Sequence, residues 1–395
     1  MNSFQFAGTP NVRFGSGSIA QLPEALPAQA RRVLFVMGGF QRTNAEAWAR
    51  TEAALRARGV EYEIAYIRQE PDAPWVDAVA DAYRGRGIDA VVAIGGGSAL
   101  DAGKAAAAML RTEPGDTVLH YLEGQPLYRP HSGDKAFFVA VPTTSGTGSE
   151  MTKNAVVSIP GGFKRSIRHD RFIPDAAIVD PLLTVSCPRG VKAASGLDAL
   201  TQLIESYVST KASPITDALA FSGIEAAAGS LVPICTDAEN DVLLHERMAY
   251  ASMVSGATLA HAGLGVVHGL AGPLGGRFGI PHGVICGTLL AEATRRIVDR
   301  LRAGDGGGDE IAVAKAKYAR VGAALTGHPE NDPEGCLVQL AATLAEWTER
   351  LAIPRLGTYG VTEANVDDVV AAADSKQSPV QFDKQELFEL LKARM

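Results

Sequence analysis

The sequence predicts two domains, a parallel-sheet α/β domain over residues 1–185 followed by an all-helical domain over residues 186–395. Three observations carry this. In the first half, short apolar runs alternate with helical segments, the pattern of a parallel sheet covered on both faces. Beyond Asp180-Pro181-Leu182 long helical segments dominate and strand signals are few. With 395 residues, of which 46% are hydrophobic, the chain also exceeds the size at which one core stops growing.

The elements follow in order. Arg31 to Gly38 (RRVLFVMG) is a β-branched and aromatic run ending on glycine, and Ala45 to Gly59 (AEAWARTEAALRARG) has helical composition. Glu61 to Ile67, Pro74 to Gly87 and Asp89 to Gly97 repeat the strand-helix-strand alternation, and Ala136 to Thr144 adds another buried strand. In the second half GLDALTQLIESYVS, SPITDALAFSGIEAAAGSL and HERMAYASMVSGATLAHAGL read as helices. Ala303 to Glu310 (AGDGGGDE) is the single low-complexity stretch, expected to be a flexible surface loop.

Composition excludes several classes. A net charge of -7, with no long run among the 37 basic residues, does not fit a nucleic-acid binder, which needs concentrated Lys and Arg to neutralise phosphate. No apolar stretch is long enough to span a membrane, and MNSFQFAGTPNVRF lacks the plan of a signal peptide, so a cytoplasmic protein is expected. Cys187, Cys235, Cys286 and Cys336 show no CxxC spacing and read as reduced core or surface thiols, outside any disulfide or zinc site.

Chemistry is concentrated at two strand ends and in four downstream residues. Gly95, Gly96, Gly97 and Ser98 lie between a buried strand and an Ala-rich helix, where bare backbone N–H groups and a helix N-terminus suit a pyrophosphate. The turn is neither GxGxxG nor a P-loop, and a tight ligand-free connection would need glycine too. VPTTSGTGSEMT (Val141 to Thr152) places hydroxyls and glycines at a second strand end, and two such loops in one domain favour a bound nucleotide.

Asp198 and Gln202 share a helix face at a spacing of four, and His268 and His282 sit in glycine-rich, weakly charged segments. Each has an ordinary alternative. Asp198 near a helix start favours the dipole, and an isolated His is commonly a hydrogen-bonded core residue.

Together these segments resemble the iron-dependent, or group III, alcohol dehydrogenases over nearly the whole chain. The matching stretches are GGGSALDAGKAAA, VPTTSGTGSEMT, RFIPDAAIVDP, GLDAL and HGLAGPLGGRFGIPHG, with SKQSPVQF as a weaker match. The resemblance implies a Rossmann-like dinucleotide-binding domain and an all-helical domain, the architecture shared with dehydroquinate synthase, with the active site in the cleft between them. It makes Gly38, Gly95, Gly96, Gly97, Ser98, Asp101, Thr143, Thr144, Thr147 and Lys164 the contacts of NAD or NADP. It makes Asp198, His268 and His282 ligands of a divalent metal, iron or zinc, with Gln202 where the family has its fourth ligand, a histidine. A homodimer acting on a small alcohol, aldehyde or ketone is also implied.

The departure at Gln202 matters, because an amide oxygen is a weaker donor than imidazole. A second departure is Gly272, where the family often has a histidine. With a metal, the implied chemistry is direct hydride transfer with the substrate oxygen polarised, and Asp198 and His268 belong to the catalytic set. Without one, a metal-independent reductase of a keto acid or aldehyde, similar to maleylacetate reductase, is the alternative, and His261 is read as either a stand-in at the substrate oxygen or a core or surface histidine. A dehydroquinate synthase-like lyase and a noncatalytic nucleotide-binding protein complete the alternatives. Val36 to Arg42 carries no acid and one cation at the second strand end, so NADP(H) is expected to be accepted and preferred. Arg277 is read as either a contact for an acidic substrate group or a surface arginine.

Overall fold

The computed structural model describes residues 3–159, 164–304 and 308–395. The chain separates into two compact units, one of Ala7–Cys187 and one of Pro188–Met395 joined by the first residues up to Phe6. The sequence alone placed the division at residue 185. The N-terminal residues go with the helical unit because the Phe6 ring stacks on His261, centroids 3.9 Å apart and planes 11° from parallel.

In the α/β unit a six-stranded parallel sheet has the order β1-β8-β5-β4-β2-β3. Its strands are β1 (Asn11–Phe14), β2 (Arg32–Met37), β3 (Glu61–Tyr66), β4 (Ala90–Gly95), β5 (Phe137–Pro142) and β8 (Ala176–Val179). A separate antiparallel hairpin, β6 (Asn154–Ser158) with β7 (Lys164–Arg168), follows β5. Numbering only the longer helices, α1 (Ala45–Ala57), α2 (Ala73–Tyr83) and α3 (Gly97–Met109) connect the strands. Ala90 through Ile94 of β4 are fully buried, which is why this strand reads as a continuous apolar run. The chain runs from β2 out to β3 and then returns to β4 on the other side of β2. The order therefore reverses between β2 and β4, where open sheets of this kind bind ligands at the carboxyl ends of the strands.

The helical unit contains α4 (Arg189–Val208), α5 (Pro214–Ala228), α6 (Val242–Ala262), α7 (Val266–Phe278), α8 (His282–Ala303), α9 (Asp309–Thr326), α10 (Pro333–Arg350) and α11 (Lys384–Lys392). Helix α4 is the central element, buried continuously from Gly196 to Val208. Helix α8 crosses it closely, since a Cβ on Gly283 would stand 2.7 Å from the Ala194 carbonyl oxygen. The close approach sets the start of α8 against the N-terminal half of α4. Asp309 begins α9 and Ala303 ends α8, so the expected loop at Ala303 to Glu310 is reduced to a short link whose residues 305–307 lie outside the described residues. No single helix among the described residues is long and apolar enough to cross a membrane.

Candidate functional site

In the α/β unit the two predicted loops pack on one another. A Cβ on Gly97 would lie 2.6 Å from Thr147 Cγ2, and one on Gly96 would lie 3.3 Å from Thr144, so the threonines leave no room for side chains in the glycine turn. The Thr143 N–H donates to the Gly95 carbonyl at 2.9 Å. Glycine is thus demanded by the neighbouring loop, and at the start of α3 the Ala99 and Leu100 N–H groups turn back to the Gly96 carbonyl. Gly38 follows β2 beside the Ile67 carbonyl, and an Arg42 Nη lies 3.7 Å from where a Gly39 Cβ would be.

What fixes the threonine loop is a residue the sequence reading passed over. Lys104, on α3 and fully buried, donates from Nζ to the carbonyls of Ser149 (2.9 Å), Thr152 (2.9 Å) and Asn154 (2.8 Å), with Thr152 Oγ1 also at 2.9 Å. Burial draws this ammonium down to about 8, against the opposing pull of Asp101 and Glu150. The signal was available, since a lysine in the middle of an Ala-rich buried helix needs a polar partner. Asp101, expected just behind the pyrophosphate contacts, accepts from Ser149 Oγ at 2.6 Å and from the Val156 N–H at 3.0 Å. Its carboxylate therefore positions the loop. Lys164 begins β7 and pairs with Glu70 at 2.5 Å.

In the helical unit, α4 presents Asp198, Gln202 and Glu205 at intervals of four and three, on one face. The N-terminal turn of α7 supplies His268, and α8 supplies His282 at its first residue and Cys286 one turn further on. One donor atom from each of Asp198, His268, His282 and Cys286 falls within 4.8 Å of the others. Asp198 Oδ1 is buried without a hydrogen bond, although His268 Nε2 is 3.3 Å away and His282 Nε2 3.6 Å away. A buried carboxylate oxygen with no hydrogen bond of ordinary geometry, facing two imidazole nitrogens, calls for positive charge among them, from a protonated ring or a metal ion. The donor set fits a divalent metal.

The electrostatics agree. Burial alone would raise the Asp198 carboxyl, yet His282 and His268 hold it below the ordinary carboxylate range. Burial would lower His268, but Cys286, Glu205 and Asp198 outweigh it and raise the imidazole well above its usual value. These surroundings favour positive charge at Nε2, which a proton or a metal ion supplies.

Glu205 sets the orientation of His268 and was also missed. Its carboxylate accepts from His268 Nδ1 at 2.7 Å, from the Val267 N–H at 2.7 Å and from the Gly265 N–H at 2.9 Å. Because a carboxylate only accepts, Nδ1 carries the proton and Nε2 is the atom left to ligate. The same group caps α7, whose own Gly265 has no side chain to do so. Glu205→Ala is expected to weaken metal affinity by about 10–100-fold, the range for such supporting groups. Glu205→Gln, which still accepts at one oxygen, should recover part of the loss in a competition titration. Equal affinity in all three proteins would refute this assignment.

Other expected residues have partners of their own. Gln202 follows Asp198 on the same face, but its Oε1 is 2.6 Å from the Ser255 hydroxyl. His261, the candidate stand-in at the substrate oxygen, is in the last turn of α6, stacked on Phe6 with Nδ1 2.7 Å from the Ala257 carbonyl, and is no part of the donor cluster. Arg277 is exposed and faces Asp368 at 3.8 Å, a surface ion pair that needs no substrate to explain it. At Gly272 a side chain would enter open space, so no packing accounts for the departure there.

Residues 9–181 match the family of iron-containing alcohol dehydrogenases, and residues 192–395 match the C-terminal part of the Fe-containing alcohol dehydrogenase family. The chain belongs to the iron-containing alcohol dehydrogenase family. It is 33% identical over 322 residues to a 4-hydroxybutyrate dehydrogenase from Cupriavidus necator, covering 79% of this chain and 78% of that one. A crystal structure of a 1,3-propanediol oxidoreductase matches at a TM-score of 0.85 and 27% identity over 100% of both chains. Sulfoacetaldehyde reductase from Bifidobacterium kashiwanohense, solved with NAD+, matches at 0.82 and 25% identity, covering 99% of this chain and 98% of that one. The family uses NAD(P) and a metal, and this chain is an NAD(P)-dependent oxidoreductase interconverting an alcohol and its aldehyde or ketone. Membership sets aside the lyase and the noncatalytic alternatives.

Proposed function

We propose that Asp198, His268 and His282 hold the family's divalent metal, and that Gly38, Gly95, Gly96, Gly97, Ser98, Thr143, Thr144, Thr147 and Lys164 form the NAD(P) site. The observation that carries the metal assignment is Asp198 Oδ1, buried, without a hydrogen bond and facing two imidazole nitrogens. A divalent ion bound there supplies Lewis acidity toward the oxygen of an alcohol or carbonyl. Asp198 contributes the negative charge that retains the ion, and Glu205 holds the His268 ring and tautomer. The start of α3 binds the cofactor pyrophosphate through backbone N–H groups, and Lys104 keeps the threonine loop rigid around it. Rigid placement of both partners is what a direct hydride transfer requires, since the reacting atoms must meet at contact distance.

NADPH is the preferred reductant in this reading. The turn after β2 carries no acid to repel a 2′-phosphate, and Arg42 overhangs Gly39. Cysteines that are all free fit a reducing cytoplasmic compartment, and the family resemblance supports a homodimer. The test measures metal content on protein purified without chelator, alongside NADPH- and NADH-dependent aldehyde reduction before and after chelation. Near-stoichiometric metal, activity lost on stripping and restored by zinc or iron, and a higher kcat/KM for NADPH are expected. Full activity in verifiably metal-free protein would replace this reading with the metal-independent reductase, and a higher kcat/KM for NADH would remove the assignment to Arg42.

A further inference from the structure

We infer that Cys286, and not Gln202, is the fourth protein ligand of the metal, giving a mixed carboxylate, imidazole and thiolate site. The inference deepens the metal assignment above and rests on it. Cys286 Sγ lies 3.6 Å from His268 Nε2 and 3.7 Å from His282 Nε2, and with Asp198 these atoms form one group within 4.8 Å. Such separations suit donors arranged around a shared ion. The thiol is fully buried and one helical turn beyond His282, so α8 delivers both donors from the same face.

Gln202 has a different partner. Its carbonyl oxygen, the amide's only useful metal donor, is 2.6 Å from the Ser255 hydroxyl. That hydrogen bond competes for the amide oxygen, while α8 brings Cys286 Sγ into one group with Asp198, His268 and His282.

Coordination needs the thiolate. When the ion enters, the S–H bond breaks, the sulfur electron pair forms the bond to the metal, and the proton leaves to solvent. No electron changes hands. The consequence is selectivity: a thiolate favours zinc or cobalt(II) over hard ions such as magnesium or manganese.

Zinc K-edge X-ray absorption on full-length protein loaded with one equivalent of zinc tests this directly. A scattering shell at about 2.3 Å, the Zn–S distance, is expected beside the shorter shell of nitrogen and oxygen donors. Cys286→Ser should lose that shell and bind zinc at least about 100-fold more weakly, exceeding the effect of losing a supporting group. Gln202→Leu should keep both the shell and the affinity. Cobalt(II)-loaded wild-type protein should show a sulfur-to-metal charge-transfer band that Cys286→Ser lacks, and circular dichroism of the metal-free proteins checks their folding. Zinc bound at one equivalent with nitrogen and oxygen donors alone overturns the role of Cys286 while the metal assignment stands. A Gln202→Leu protein that loses zinc while Cys286→Ser retains it does the same. Failure of the wild type to bind zinc, cobalt(II) or iron(II) at all overturns both.

Discussion

Asp198→Asn is expected to lower kcat/KM by about a thousandfold or more, and to abolish the stabilisation that metal gives the fold. The side chain is fully buried, and asparagine is nearly isosteric with it, so the packing of α4 is preserved. What changes is charge. A metal ion contributes several kcal/mol of stabilisation at a developing oxyanion, and each 1.36 kcal/mol is tenfold in rate, so losing about 4 kcal/mol gives the factor quoted. Stability separates this cause from misfolding. Wild-type protein should melt at a higher temperature with metal than without, because an ion that binds only the folded state stabilises it by mass action. In Asp198→Asn the two melting curves should coincide. The metal-free variant should be somewhat less stable than metal-free wild type, since the carboxylate that His282 and His268 hold in its charged form has gone. A variant that keeps its metal and its metal-dependent melting shift would sink the placement of the site.

The parts of this site that the sequence disclosed are those whose spacing or composition is self-contained. The apolar runs of β2, β4 and β5 are buried on both faces and so stand out without knowledge of their neighbours. Asp198, His268 and His282 come from the family pattern, and α4, α7 and α8 place their donor atoms together. The hairpin β6–β7 was not read, because Val156 is exposed while Ala155 and Val157 are buried, and five residues give too short an alternation to register. In the sequence Cys286 reads as a reduced core or surface thiol, since two donors four apart on a helix mean little until another element closes the set. Glu205 was invisible for a related reason. Its three partners lie about 60 residues away, and only the approach of α7 to α4 turns a surface-type residue into a cap and a ring support.

Lys104→Met should have the largest effect on stability, about 3–5 kcal/mol, the cost of leaving buried charge uncompensated. The substitution conserves length and apolar bulk, so α3 keeps its packing, but three backbone carbonyls lose their shared donor. Two buried acids lose their cation as well. Glu150 is already pushed up to about 7 by burial and can escape by taking a proton. Asp101 is raised by burial as well, yet it is held as an acceptor by Ser149 and the Val156 N–H, an arrangement that favours its charged form. The carboxylate is then the group left stranded. It follows that Lys104→Met/Asp101→Asn should be more stable than Lys104→Met alone, a non-additivity expected only of groups that share a network. Chemical denaturation followed in the α/β unit measures this, and NADPH fluorescence titration measures the second consequence. With its anchor gone the Ser149–Asn154 segment is free to shift, so Thr144 and Thr147 no longer close over Gly96 and Gly97 and cofactor affinity falls. A loss under about 1 kcal/mol with unchanged NADPH binding would show that water or a rearranged loop satisfies those carbonyls, and that Lys104 does not hold the cofactor site together.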